Sequence, residues 1–277
     1  MSQYSPKVSF VTVCFRTPDM IRQLLKGFEA TQPSFEHEYF LVNNGSDGTS
    51  AMVQERFPWV HVMDKQGNVG FGAGNNLAFR EAKGEYVMLV NPDLTLFPGE
   101  MEKLLAFADE HPDLGIIGPR LLNPDGSLQR TFHRFPELLI PLYRRTPIGR
   151  LPWGKRSIEH YFMQDADPER IQEVDGIFGA AMLIRKAALD AVGGFDERFF
   201  MYYEDTDICR RAWEKGWRVA YAPVATFVHY HQRESRVKYI WHLVTNRVVR
   251  THIKSGILYF LKYLGAKHPH PVTAEIK

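Results

Sequence analysis

The chain has 277 residues, 44% of them hydrophobic and 24% charged, with a formal net charge of +2. That is ordinary globular composition with enough chain for one large domain or two small ones around a real core, and a balance this near neutral gives no bulk attraction for nucleic acid. The two cysteines, Cys14 and Cys209, exclude a disulfide framework and a cysteine-based zinc centre and suit a reducing cytoplasm.

The opening MSQYSPKVSF has no apolar stretch ahead of a small-residue cleavage site, so nothing in it directs export. The longest apolar run is the eight residues from Ile177 to Ile184. That falls far short of the ~18 to 20 needed to span a bilayer. Both features predict a cytoplasmic protein.

Residues Val8 to Phe15 (VSFVTVCF) are β-branched and apolar throughout, the pattern of a strand buried on both faces of a parallel sheet. Thr17, Pro18 and Asp19 then open a helix through about Ala30, with Ile21, Leu24, Leu25 and Phe28 on one face. The strand-then-helix unit recurs. Tyr39 to Val42 ends in NNGSDGTS, Val60 to Met63 leads into QGNVGFGAGNN and a helix, and Tyr86 to Val90 ends at Asn91-Pro92-Asp93. Alternation of this kind predicts an α/β sheet, whose ligands sit beyond the carboxyl ends of the strands. The three polar or glycine-rich loops occupy those positions.

Gly70, Gly72 and Gly74 are spaced GxGxG and follow the third strand, so they do not make a dinucleotide fingerprint, which needs GxGxxG after the first. With Asn68, Asn75 and Asn76 they form either a plain loop or a close-approach loop at a helix N-terminus, suited to a phosphate or sugar oxygen. From Gly115 the texture changes. GIIGPRLLNPDGSLQRTF predicts two short strands around a hairpin turn at Asn123-Pro124-Asp125-Gly126, so the second Asn-Pro-Asp is explained by turn geometry alone.

Pro141 to Arg170 is rich in Pro, Arg and Lys with weak periodicity, which predicts a long surface excursion. It is either a solvated loop or an anion-facing acceptor flap using Arg144, Arg145, Arg150, Lys155 and Arg156. A packed strand follows at Gly176 to Ile184, and GGFDERFFMYYEDTDICRRAWEKGW supplies an acidic turn and a helix from about Asp205 to Lys215, closed by Gly216. Glu204, Asp205 and Asp207 at that helix start either complement its dipole or include a general base, with Tyr202 and Tyr203 available to desolvate a carboxylate. Sequence order favours Asp205 as the base. A strand at Arg218 to Ala220 precedes VHYH, where His229 and His231 are either structural groups or, with Asp93, ligands for a divalent cation.

Arg236 to Leu264 mixes basic residues (Arg236, Lys238, Arg247, Arg250, Lys254, Lys262, and Lys267 just beyond) with Tyr239, Ile240, Trp241, Leu243, Val244, Val248, Val249, Ile257, Leu258, Tyr259, Phe260 and Leu261. Two readings stay open: a helical pair packing an apolar stripe on the catalytic domain, or peripheral attachment to an anionic membrane surface.

Taken in order, VSFVTVCFRTPD, VNNGSDGTS, NVGFGAGNN, GEYVMLVNPDLTL, GAAMLIRKAALDAVGGFDERFFMYYEDTDICRR and VHYH with Ser235 resemble the family 2 glycosyltransferases of the GT-A fold. The likeness is greatest to their bacterial rhamnosyltransferase-like branch and spans about residues 8 to 235. It implies a Rossmann-like, mostly parallel central sheet flanked by helices, with C-terminal helices beyond. It further implies an inverting transfer of a sugar, plausibly L-rhamnose, from a dTDP- or UDP-sugar to a polysaccharide or a polyprenyl-diphosphate-linked glycan at the cytoplasmic membrane face.

By the same resemblance Thr12, Phe15 and Asn43 hold the nucleoside, and Asn68, Gly72, Asn76 and Asn91 line the donor site. Asp93 coordinates Mg²⁺ or Mn²⁺, His229 is the distal metal or phosphate ligand, and Asp205 is the catalytic base. The chain departs from the common pattern at Asn43-Asn44, where relatives usually carry Asp-Asn, and at Asn91, which replaces the first acid of a DxD motif. The implied organisation is a catalytic domain over residues 1–235, with a nucleotide-sugar-binding half at 1–120 and an acceptor and catalytic half at 121–235, followed by a helical extension at 236–277. The alternative is a catalytically idle sugar-nucleotide or glycan-binding subunit, which Asn43 and Asn91 favour and the joint presence of Asp93, Asp205 and His229 opposes.

Overall fold

The structure is a computed structural model that describes residues 5–65, 67–230 and 246–270. The N-terminal half is a run of strand and helix: β1 (Val8–Cys14), α1 (Pro18–Thr31), β2 (His37–Asn43), α2 (Thr49–Arg56), β3 (Val60–Asp64), α3 (Phe71–Glu81), β4 (Tyr86–Val90), β5 (Leu94–Thr95) and α4 (Glu100–Glu110). Next come β6 (Leu114–Leu122), β7 (Leu128–Gln129), β8 (Phe132–His133), α5 (Ile140–Arg145), α6 (Pro152–Tyr161), β9 (Gln172–Glu173), β10 (Gly176–Ile177) and β11 (Ala181–Arg185). The rest is α7 (Lys186–Val192), α8 (Glu204–Glu214), β12 (Arg218–His229) and, beyond the undescribed stretch, α9 (Arg247–Lys262).

The main sheet runs β3-β2-β1-β4-β11-β6-β12-β5, with β7 added to β6 and β9 to β12, while β8 and β10 form a separate pair. β1 to β4 are mutually parallel, and β6 and β12 form a second parallel pair. β11 joins the two groups antiparallel to both β4 and β6.

The sheet is covered on both faces, which is why its central strands carry no alternation of polar and apolar residues. Val8 and Phe10 pack with Ile21, Leu24, Leu25 and Phe28 of α1 and Met101, Leu104 and Leu105 of α4. Val11 points the other way, into a cluster with Ala78 and Phe79 of α3 and Ile208, Cys209 and Ala212 of α8. Each such side chain contributes about 1.5 to 3 kcal/mol by burial. Cys14 and Cys209 are both free and buried in this packing, and burial pushes the Cys14 thiol up to about 12, so neither is poised as a nucleophile.

Three sequence-based expectations change. Residues 141 to 170 are not a bare excursion: α5, a 3₁₀ turn at Pro147–Arg150 and α6 enclose a small core of Ile140, Tyr143 and Tyr161. Each of the three pieces carries a proline as its first or second residue, and three short starts leave no stretch long enough to show a helical period. Arg144 lies over the rings of Tyr161 and Phe162 at 5.5 and 4.9 Å, whereas Arg150, Lys155 and Arg156 are exposed.

The expected single strand from Gly176 to Ile184 is two, β10 and β11, interrupted at Phe178-Gly179-Ala180. The strand expected to stop at Ala220 instead continues to His229. Pro223 is accommodated because it falls where β12 shifts register against β6, between Tyr221 and Thr226, so no ladder bond is lost to it.

α9 packs one face on the domain, with Val249, His252, Ser255, Gly256 and Tyr259 buried. Its other face exposes Ile253, Ile257 and Leu261, continued by Leu264 beyond its end. Among the described residues no helix is long and apolar enough to cross a membrane. His231, Ser235, Arg236, Lys238, Tyr239, Ile240, Trp241, Leu243 and Val244 lie outside the described residues.

Candidate active site

Because β1 to β4 are parallel, their carboxyl ends and following loops share one edge of the sheet. β11 runs the opposite way, with Ala181 opposite Val90, so the Phe178-Gly179-Ala180 break opens onto the same edge. His229 ends β12 opposite Leu94.

Hydrogen bonds then tie the loops together. The Asn44 amide donates to the Gly70 carbonyl at 3.0 Å, Phe71 N–H to the Phe200 carbonyl at 2.9 Å and Asn91 N–H to the Ala180 carbonyl at 3.0 Å. Only a glycine fits at position 70, where φ is +94° and a Cβ would stand 2.2 Å from the Phe200 carbonyl oxygen. The loop after β3 is thereby pressed onto the turn that leads into α8.

The three acids at the start of α8 have three different environments. Glu204 is buried, its Oε2 has no hydrogen-bond partner among the described residues, and burial, with the neighbouring Asp205 charge second, pushes its carboxyl well above the usual range. It is Glu204 that the apolar surroundings desolvate, which favours its neutral form. Asp207 is fully buried and takes Lys262 Nζ at 2.5 Å, Arg211 Nε at 2.7 Å and the Tyr263 hydroxyl at 2.8 Å, which makes it the anchor of α9.

Asp205 alone is half-exposed. Its Oδ1 accepts Thr206 N–H at 2.7 Å and its Oδ2 accepts Gly179 N–H at 3.1 Å, so it faces the β10–β11 break. Gly179 bonds Asp205 and the next residue, Ala180, bonds Asn91. One short segment therefore spans from the candidate base to the Asn91-Pro92-Asp93 turn.

The approach to Asp205 is strained. Tyr202 and Tyr203 have φ of +73° and +69°, a region that costs a bulky residue about 1 to 3 kcal/mol. α9 holds the turn in place: Ser255 Oγ donates to the Met201 carbonyl at 2.9 Å, and the rings of Tyr259 and His252 pack on Tyr203. Gly256 lies under the same ring, where a Cβ would be 3.3 Å from the Tyr203 hydroxyl.

At the other end of the cleft His229 Nε2 is 3.1 Å from Asp93 Oδ1, and His229 Nδ1 is 2.6 Å from Gln129 Oε1. An amide oxygen only accepts, so Nδ1 carries the proton and Nε2 turns toward Asp93. An imidazole Nε2 beside a half-buried carboxylate oxygen is a donor set that fits a divalent cation. Gln129 lies just after the second Asn-Pro-Asp. That turn is a hairpin, with Gly126 N–H donating to the Asn123 carbonyl at 2.9 Å and β7 antiparallel to β6. Its second strand delivers the residue that orients His229.

On the nucleoside side Thr12, Asn43, Asn76 and Gly72 make framework contacts. Thr12 is fully buried, and its hydroxyl donates to the Val90 carbonyl at 2.8 Å and meets the Tyr39 phenol at 2.8 Å, so its side chain braces two strands. Asn43 is buried too, accepting Gly45 N–H at 2.9 Å and donating to Ser50 Oγ at 3.0 Å. Asn76 clamps the turn before α8, exchanging bonds with Phe195 N–H and carbonyl at 2.8 Å each. Gly72 is a packing contact, where a Cβ would stand 3.1 Å from that of Phe195.

Asn43, Asn76 and Gly72 lie in a strand and a helix that turn them inward where a loop-like composition suggested open positions, and Thr12 lies on the buried first strand. Phe15 and Asn68 stay within reach of the cleft, and Phe15 carries Arg16 over its ring at 5.1 Å. Asp64 was not singled out from the sequence. It ends β3 in register with Asn43, is exposed, and hydrogen-bonds Ser50, so it brings a carboxylate where the Asn43-Asn44 pair lacks one.

The sequence model of the family described as Glycosyl transferase family 2 matches residues 9–193, and that of Glycosyl transferase family group 2 matches residues 153–263. The chain is 32% identical over 210 residues to the N-acetylglucosaminyl-diphospho-decaprenol L-rhamnosyltransferase of Mycobacterium tuberculosis, a match covering 69% of this chain and 65% of that protein. It is 24% identical over 268 residues to Rhamnosyltransferase WbbL of Escherichia coli K12, covering 92% and 93%.

Among solved structures, the mannosyltransferase PcManGT from Pyrobaculum calidifontis, in complex with GDP-Man and Mn²⁺, aligns with a TM-score of 0.59 at 15% identity, over 92% of this chain and 65% of that one. TarS 1-349 of S. aureus, in complex with UDP-GlcNAc, aligns with a TM-score of 0.57 at 18% identity, over 84% and 62%. At these identities the likeness shows the fold, and it is the α/β GT-A arrangement expected from the motifs.

Proposed function

The chain belongs to glycosyl transferase family 2, and from that membership we propose an inverting transferase that moves one sugar from a nucleoside diphosphate to a glycan acceptor. The observation that carries this reading is the bridge by which Gly179 meets Asp205 and Ala180 meets Asn91, joining a half-exposed carboxylate to the Asp93–His229 pair.

In this reading Asp205 accepts the proton of the acceptor hydroxyl as that oxygen attacks the anomeric carbon, and the nucleoside diphosphate departs from the opposite face. A single displacement inverts the centre, so one base suffices. Asp93 and His229 would hold Mg²⁺ or Mn²⁺, which supplies charge neutralisation for the departing diphosphate. Gln129 keeps His229 in the tautomer that turns Nε2 toward that position. Phe15, Asn68 and Asp64 receive the nucleoside end, in the half formed by residues 1–120, and residues 121–235 present Asp205 to the acceptor.

The rhamnosyltransferases among the relatives support L-rhamnose from dTDP-rhamnose as donor and a polyprenyl-diphosphate-linked glycan as acceptor, with UDP-sugars as the competing donors. A thermal-shift panel of sugar nucleotides, each with and without Mn²⁺, tests this. A ligand at 100 times its dissociation constant adds about 2.7 kcal/mol of stability, and one nucleotide should do so only when Mn²⁺ is present. Asp93→Ala should remove the Mn²⁺-dependent part, and an unchanged response with and without chelator would refute its metal role.

An acceptor on a polyprenyl carrier calls for contact with the cytoplasmic membrane face. The stripe of Ile253, Ile257, Leu261 and Leu264, flanked by Arg250 and Lys254, suits an anionic bilayer surface. Ile257→Glu combined with Leu261→Glu should lower binding to anionic vesicles by about tenfold or more, taking each buried aliphatic side chain as worth about 1.5 kcal/mol or above. Turnover of a short water-soluble acceptor should be unaffected. Equal vesicle binding by the variant would exclude this face.

A further inference from the structure

Asp175, His268 and His270 present ligand atoms that all lie within 4.8 Å of one another. Asp175 precedes β10, and its Oδ2 accepts Phe135 N–H at 2.6 Å, which fixes the carboxylate plane. His270 Nε2 is 2.9 Å from Asp175 Oδ1 and His268 Nε2 is 3.2 Å from Oδ2. The His270 ring is buried and stacks on Trp213 of α8 at 3.6 Å between centroids, and the His268 ring packs near Phe135 at 5.3 Å. Two imidazoles and one carboxylate from segments far apart in the chain are thus held by packing in one place.

The hydrogen bonds orient the ligand atoms toward one another. His268 Nδ1 lies 2.7 Å from the His270 carbonyl, which only accepts, so Nδ1 is protonated. With Nδ1 committed to that carbonyl, Nε2 is the ring nitrogen that faces the Asp175 carboxylate, 3.2 Å away. An Nδ1–H bonded to a backbone carbonyl, with Nε2 left to coordinate, is the usual second-shell pattern of a metal-binding histidine.

We propose that Asp175, His268 and His270 form a second metal site, distinct from Asp93 and His229, that binds Zn²⁺ and staples the segment after α9 to the catalytic domain. The ligand chemistry selects the ion: two imidazoles and one carboxylate suit Zn²⁺, whereas a site completed by phosphate oxygens suits Mg²⁺ or Mn²⁺.

The staple has a consequence for the reaction centre. The chain from α9 to His270 runs along one side of α8, bonding Asp207 through Lys262 and Tyr263, Arg210 through the Lys267 carbonyl, and Trp213 through His270. Asp207 is two residues from Asp205, and α9 also props the strained Tyr202-Tyr203 turn. A metal at the far end fixes the arm that holds the candidate base in position.

The test uses the full chain without a polyhistidine tag, stripped with chelator and titrated with Zn²⁺ alone. Wild-type protein should take up one equivalent and melt higher, and Mn²⁺ alone should not substitute. Double replacement of His268→Ala and His270→Ala should weaken Zn²⁺ binding by at least about 100-fold, while a cooperative denaturant transition persists and reports that the variant is folded. Asp93→Ala should leave Zn²⁺ uptake intact, so the outcome is independent of whether the transferase reading holds. Equal Zn²⁺ uptake by wild type and the double variant, or none by either, overturns the proposal.

Discussion

Replacing Asp205 by Asn is expected to lower sugar transfer by about 10² to 10⁴-fold, the range a positioned general base supplies. The amide keeps the shape of the side chain, although its single oxygen can accept only one of the two N–H groups, of Thr206 and Gly179, that Oδ1 and Oδ2 of Asp205 take separately. What it loses is the capacity to take a proton. Nucleotide binding involves the other end of the cleft and should be nearly unchanged, so kcat falls while the Mn²⁺-dependent thermal shift persists. Glu204 is a poor substitute base, because burial raises its carboxyl well above the usual range and keeps it from solvent. Turnover within a few-fold of wild type would move the base elsewhere.

Asp207→Ala carries the largest expected effect on stability. The carboxylate is fully buried against Lys262, Arg211 and the Tyr263 hydroxyl, and removing it leaves two cations and a phenol around an uncompensated site. Breaking one partner out of such a cluster costs about 3 to 5 kcal/mol. Lys262 retains Asp196 at 2.8 Å, which puts the expectation toward the lower end of that range. Denaturant unfolding measures it, and a change under about 1 kcal/mol would show that α9 is held by its apolar face alone. Because α9 also props the Tyr202-Tyr203 turn, the variant should lose activity out of proportion to the fraction unfolded. The acid that resembled a catalytic group by position is thus separable from Asp205 by which quantity it changes.

Local patterns carried much of the architecture. The all-apolar VSFVTVC could only be a central parallel strand, and Pro18 with the spacing of Ile21, Leu24, Leu25 and Phe28 could only be a helix against it. The loops at the carboxyl ends of those strands followed from parallel geometry, and Asn123 to Gly126 was legible as a hairpin because a turn is decided by four adjacent residues. Three prolines break up the period of two short helices between 140 and 161, and the strand expected to end at Ala220 runs on through Pro223 to His229.

The sequence by itself determined the α/β class, the edge of the sheet where ligands would sit and the family to which the motifs point. Only the tertiary structure decided the roles within the acidic turn, where Glu204 is desolvated, Asp205 faces the cleft and Asp207 anchors α9. It also decided that Thr12, Asn43 and Asn76 brace the framework, that Gln129 orients His229 from 100 positions away, and that Asp93 meets His229 across 136. The reason is one of range. Hydrophobic period and turn chemistry are written in neighbours along the chain, whereas a side chain's burial and hydrogen-bond partners are set by whichever distant segments the sheet order brings beside it.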